Sequence, residues 1–228
     1  MRLSEKYRPK TLESVVGQPC VVPLRRFVER PYACCLLFEG PPGCGKTTSA
    51  LALAAELGCL DELSGLHVVT STELTIDRCR DLFESTLRLK PMLGDGWRVL
   101  VVEELEALTS VQVQRFLKVA LEQRLPDRCV VVATSNGAGA IQKADKALLQ
   151  RFRIYRFEAG KMFAAAAEGY LADVWQRETG QDRLPVGWRT WGTDGDGEFS
   201  LRVALDRLQC EAELCDVREH GPAARCVA

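Results

Sequence analysis

Histidine is nearly absent from this chain, which has only His67 and His220, and no two of its cysteines stand in C-x-x-C spacing. A zinc site of the usual Cys and His ligands is therefore not expected. The ten cysteines, Cys20, Cys34, Cys35, Cys44, Cys59, Cys79, Cys129, Cys210, Cys215 and Cys226, are scattered. In a reducing compartment buried thiols act as small apolar side chains. An excess of charge is lacking too, since 30 Lys and Arg against 31 Asp and Glu leave a formal net charge of −1. Contact with nucleic acid then has to come from a local patch or from one face of an assembly. No apolar run approaches the roughly 18 residues that a membrane span needs. The opening Met1-Arg2-Leu3-Ser4-Glu5-Lys6 has no apolar signal region, so a cytosolic protein without a membrane partner is expected. The 228 residues, 46% hydrophobic and 27% charged, suffice for one large domain or a large and a small one.

What is present concentrates between residues 34 and 55. The apolar run Cys34-Cys35-Leu36-Leu37-Phe38 reads as a buried strand, and Ser49 to Ala55 reads as a helix. Between them stands Gly40-Pro41-Pro42-Gly43-Cys44-Gly45-Lys46-Thr47-Thr48, a phosphate-binding loop in its strand-to-helix setting. Gly40, Gly43 and Gly45 let backbone N–H groups turn inward around an anion, and the helix N-terminus adds partial positive charge. Lys46 is expected to reach the β- and γ-phosphates of ATP and Thr47 to ligate Mg²⁺. Cys44 sits inside the loop, where the local field is expected to favour a thiolate open to alkylation or oxidation.

Further along, Leu66 to Thr70 reads as a strand, Ile76 to Leu89 as a helix, Arg98 to Val102 as a strand, Val111 to Gln123 as a helix and Cys129 to Ala133 as a strand. Strands alternating with helices imply a parallel α/β sheet whose ligand lies at the C-terminal strand ends. After Tyr155-Arg156-Phe157 only helices are expected, at Lys161 to Gly180 and Ser200 to Val217, with a Gly- and Asp-rich turn between. The expected organisation is an α/β nucleotide-binding domain over residues 1–157, a small all-helical lid over 158–220 and a frayed tail over 221–228. Asp194 to Glu198 has the flavour of a calcium loop but lacks the full ligand spacing, so a solvated turn is expected.

At the end of the third strand stand Glu103 and Glu104. Hydrolysis of a nucleoside triphosphate needs one carboxylate to hold Mg²⁺ and a second to polarise the attacking water. Glu103 is placed in the first role and Glu104 in the second, with Asn136, at the tip of the next strand, orienting the water.

Glu5-Lys6-Tyr7-Arg8-Pro9, Leu12 and Val15-Val16-Gly17-Gln18 resemble the N-terminal signature of the clamp-loader branch of AAA+ ATPases, the small subunits of replication factor C and their phage counterparts. The resemblance implies that Tyr7, Arg8, Pro9 and Val16 lie near the adenine. It implies that Arg80 and Arg78 at a helix start, and Gln114 and Lys118 on the next, engage DNA, Gln114 linking DNA to the catalytic carboxylate. Gln150-Arg151-Phe152 falls where the family has Ser-Arg-Cys, making Arg151 an arginine finger for a neighbouring subunit. Leu201 to Gln209 is similar to the second sensor, with Arg202 reporting on the γ-phosphate. The implied partners are other clamp-loader subunits, in a pentamer if a collar is supplied, a sliding clamp and primer–template DNA, in the cytoplasm or a eukaryotic nucleus.

The resemblance runs over about residues 1 to 215, and the collar domain of the family does not follow it. The family has Asp where Glu103 stands. Two other readings stay open: a nucleotide-binding but hydrolysis-deficient structural subunit that donates Arg151, and another DNA-associated AAA+ motor or loader.

Overall fold

The computed structural model describes residues 1–123, 125–137, 146–193 and 198–220. Residues 194–197, where a solvated turn is expected, and 221–228, where a frayed tail is expected, lie outside the described residues. Five strands form one parallel sheet: Cys34–Glu39 (β1), Leu66–Thr70 (β2), Arg98–Glu103 (β3), Cys129–Ser135 (β4) and Arg153–Arg156 (β5), in the order β2-β3-β4-β1-β5. The three central strands are apolar at nearly every position because helices cover both faces. Successive side chains point to opposite faces. Leu36, Phe38, Val99, Val101, Val130 and Val132 enter one core layer, and Cys35, Leu37, Leu100, Val102, Val131 and Ala133 enter the other.

The first layer packs under Val21–Glu29 (α2), Lys46–Glu56 (α3), Lys161–Thr179 (α7), Trp188–Trp191 (α8) and Leu201–His220 (α9). Its largest fully buried side chains include Trp175, Phe163 and Phe199. The second packs under Ile76–Arg80 (α4) and Val111–Gln123 (α5), with Lys146–Leu149 (α6) at its edge. The short Leu3–Lys6 (α1) lies against α9.

The helix expected over Ile76 to Leu89 keeps its helical course but changes pitch, passing from α4 into a π turn at Asp81–Ser85 and a 3₁₀ turn at Thr86–Arg88. Cys79, Leu82, Phe83 and Leu87 all stay buried through the change.

Because β1 connects toward β2 on one side while β4 connects to β5 on the other, strand order reverses between β1 and β4. A crevice opens at that point beyond the strand ends. The Gly40 N–H donates to the Ser135 carbonyl at 3.2 Å, holding the two strand exits together. No described helix is long and apolar enough to cross a membrane.

Candidate nucleotide site

A cleft of about 510 Å³ occupies this crevice. The phosphate loop forms its floor with Pro42, Gly43, Gly45, Lys46, Thr47 and Thr48. Glu103, Glu104 and Asn136 enter from the strand ends, Arg8 and Pro9 from the N-terminal arm, and Arg202 from α9.

Gly45 takes φ 97° and Gly43 φ 77°, the left-handed region in which a side chain is strained. A Cβ on Gly43 would stand 2.0 Å from Ser200 Oγ, and the Gly43 carbonyl accepts the Leu201 N–H at 3.2 Å. The start of α9 is thus seated directly on the loop. Gly40, Pro41 and Cys44 form the inner turn rather than the cleft surface. Lys46 Nζ is buried and donates to the Gly40 carbonyl at 2.7 Å and to the Pro41 carbonyl at 2.6 Å. Burial lowers the pKa of its ammonium.

The thiolate expected at Cys44 is corrected by the structure. Cys44 is 1% exposed, its thiol donates to the Pro41 carbonyl at 2.9 Å, and desolvation raises its pKa in spite of Lys46 nearby. Burial in apolar surroundings disfavours the charged form more than one partly desolvated ammonium favours it.

The Thr47 hydroxyl donates to Glu103 Oε1 at 2.9 Å. The Glu103 carboxylate is thus in direct contact with the loop hydroxyl. These two hard oxygen donors suit Mg²⁺, which takes one or two protein oxygens and completes its shell with phosphate and water.

Glu104 has φ 55° and ψ 53°, a left-handed conformation seldom taken by a side-chain-bearing residue. Its N–H donates to Thr134 Oγ1 at 3.3 Å. The turn leaves the Glu104 carboxylate exposed on the cleft while Glu103 stays half-buried against Thr47. The Asn136 N–H donates to Glu106 Oε1 at 3.1 Å, so the tip of β4 is tied to the turn after β3.

The other sequence-derived candidates lie elsewhere. The Tyr7 hydroxyl turns away from the cleft to Glu178 on α7, and Val16 packs against the core. Arg151 lies at the far end of the sheet, in a second concavity beside Cys34 and Cys35, and donates to Glu122 Oε2 at 2.6 Å. Arg78 and Arg80 are exposed and paired with Asp81 at 3.0 Å and Asp77 at 3.4 Å. Gln114 is buried and donates to the Leu108 carbonyl at 2.8 Å, while Lys118 is half-buried on the same helix.

Three site-shaping residues were not singled out from sequence. Gln18 is buried, and its side chain donates to the Cys44 carbonyl at 2.9 Å and the Glu158 carbonyl at 2.8 Å while accepting the Glu158 N–H at 2.9 Å. It pins the phosphate loop to the exit of β5. Thr134 and Glu106 brace the two strand tips. A polar Thr134 inside an apolar strand run, and Gln18 closing the N-terminal signature, were the available signals.

A phosphate loop at the switch point of a parallel sheet, with paired carboxylates at the neighbouring strand, defines a P-loop nucleotide-binding protein. Residues 36–158 match the profile of the ATPase family associated with various cellular activities (AAA), and the chain belongs to that family. It is 32% identical over 93% of its length to a replication factor C small subunit of Methanococcus maripaludis, and spans 65% of that protein. A Methanothermobacter thermautotrophicus replication factor C small subunit is 34% identical over 92% of the chain, which spans 63% of it. A solved Thermotoga maritima RuvB variant shares the fold with TM-score 0.70 at 20% identity, covering 93% of this chain and 67% of that one.

Proposed function

We propose that the chain is the ATP-binding and ATP-hydrolysing part of a clamp-loader subunit, which in an oligomer opens a sliding clamp and places it on primer–template DNA. The observation that carries this reading is the Thr47–Glu103 hydrogen bond at 2.9 Å, set in the one cleft that also receives Lys46, Glu104, Asn136 and Arg202. The likeness to replication factor C small subunits over most of the chain supports the assignment to clamp loading.

On this reading residues 1–157 form the nucleotide-binding domain and 158–220 the lid. The loop N–H groups and Lys46 hold the phosphates, and Thr47 and Glu103 hold Mg²⁺. The bound ion would neutralise charge developing between the β- and γ-phosphates. Glu104 orients the attacking water together with Asn136, and Arg202 senses the γ-phosphate from α9. Arg151 serves the neighbouring subunit, which must compete with Glu122 for its guanidinium. Arg78, Arg80 and Lys118 follow the DNA backbone, which confers preference for structure over sequence. Gln114 relays DNA engagement to Glu104 from inside the helix layer.

The test is steady-state ATP hydrolysis over a protein-concentration series, with and without primed-template DNA. Turnover that rises with concentration and DNA, and is lost in Glu104→Gln and Arg151→Ala, is expected. Tight ATP binding without turnover under every condition, partner subunits included, would overturn the catalytic part.

A further inference from the structure

The N-terminal arm that walls the cleft is fastened to the C-terminal helices. The Leu3 N–H donates to Gln209 Oε1 on α9 at 3.1 Å. Lys6 Nζ donates to Glu178 Oε1, in the last turn of α7, at 2.6 Å, and the Tyr7 hydroxyl donates to the same oxygen. The Tyr170 hydroxyl, also on α7, donates to the Tyr7 carbonyl at 2.7 Å. All four bonds end on α7 or α9. The arm is tied to α3 at Leu12, whose N–H donates to Glu56 Oε1 at 2.7 Å, and to α2 through the Glu13–Arg25 pair at 3.9 Å. Between the two attachments run Arg8 and Pro9, which line the cleft.

Glu178 is the knot in this arrangement. Its side chain is 20% exposed, and a largely shielded carboxylate holding donors from two consecutive residues fixes both their direction and their distance. Glu178 itself does not line the cleft. Lys46 and Thr47 supply phosphate-binding groups, whereas the rest of the lining sets Pro9, Tyr170 and Leu205, whose apolar surface suits a base, among the polar Arg2, Ser4, Glu5, Arg8, Arg202 and Asp206.

We infer that Glu178 is a positioning residue for the nucleotide, clasping the arm to α7 so that Arg8 and Pro9 stand against the nucleoside end. The inference rests on the reading that a nucleoside triphosphate occupies this cleft. A group acting on the nucleoside end alone leaves the grip on phosphates unchanged, and that separates positioning from general support of the fold.

The experiment is calorimetric titration of the full chain, in Mg²⁺, with ATP and separately with inorganic tripolyphosphate, for wild type, Glu178→Ala, Glu178→Gln, Tyr7→Phe and the Glu178→Ala/Tyr7→Phe double variant. ATP affinity is expected to fall roughly three- to tenfold in Glu178→Ala and by less in Tyr7→Phe, with no further loss in the double variant. Glu178→Gln, which keeps an acceptor for Tyr7, recovers part of the loss, and tripolyphosphate affinity stays constant throughout. Equal losses for both ligands, or unchanged ATP affinity, would overturn the proposal. Tyr7→Phe removes one oxygen atom and decides the matter should Glu178→Ala not fold. A wild type that binds neither ligand refutes the reading of the cleft itself, a result distinct from failure of the clasp.

Discussion

Glu104 is where backbone geometry and chemistry conflict most sharply. Its left-handed conformation, with φ 55°, costs on the order of 1 kcal/mol in a residue with a side chain, and the turn it makes directs one glutamate to the cleft and its neighbour to Thr47. Relief of that strain and loss of activity are expected together. Glu104→Gly should raise the urea midpoint by an amount equivalent to about 1 kcal/mol, with an unchanged m-value, while abolishing DNA-stimulated hydrolysis. Loss of both stability and turnover would place the strain elsewhere. The adjacent carboxylates of Glu103 and Glu104 at the end of an apolar strand were legible in the sequence. The φ value that separates their directions was not, because neither side chain marks a left-handed position as Gly or Asn would. Cys44 shows the same limit: proximity to Lys46 was readable, but the burial that governs its pKa depends on packing from distant parts of the chain.

At the scale of elements, the phosphate loop is held between its own strand and two outside supports, Gln18 from the N-terminal segment and the first turn of α9. Removing the Gln18 side chain leaves the Cys44 and Glu158 carbonyls and the Glu158 N–H without that partner. Gln18→Ala should therefore cost about 3 kcal/mol in chemical denaturation and weaken ATP binding in parallel. An unchanged midpoint would refute the support role. The β1–loop–α3 unit, β2, β3, α5 and β4 were all readable from apolar runs and helical spacing, since the central strands are buried on both faces and their signal is strong. α2 was missed, although Val21, Leu24 and Phe27 are buried along one face, because three apolar positions around Pro23 make a short signal. The pitch change after Arg80 was illegible for a different reason. Ile76, Cys79, Leu82, Phe83 and Leu87 satisfy a regular helical spacing on paper, and only the core that receives them selects the wider turn.

For the whole molecule, a net charge of −1 supplies no general attraction for a polyanion, so on the clamp-loader reading contact with DNA depends on where individual cations stand. Arg78 and Arg80 are exposed yet internally paired, and phosphate must displace Asp81 and Asp77 to engage them. On the clamp-loader reading, replacing both with alanine should reduce the slope of log affinity against log salt by about 2, equally for unrelated primer–template sequences. An unaltered slope would remove these residues from the DNA surface. The cleft draws on the entire chain, with Leu3 and its partner Gln209 separated by 206 positions. During synthesis the arm leaves the ribosome ahead of α7 and α9 and finds its seat only after they have emerged. The strands and the loop sequence are exposed before that moment, but the wall of Arg8 and Pro9 cannot yet be seated. A ribosome-bound chain halted before α9 would thus lack both the first-turn support of the phosphate loop and a seated wall of Arg8 and Pro9, so that the emergence of α9 is itself the event that finishes the binding site.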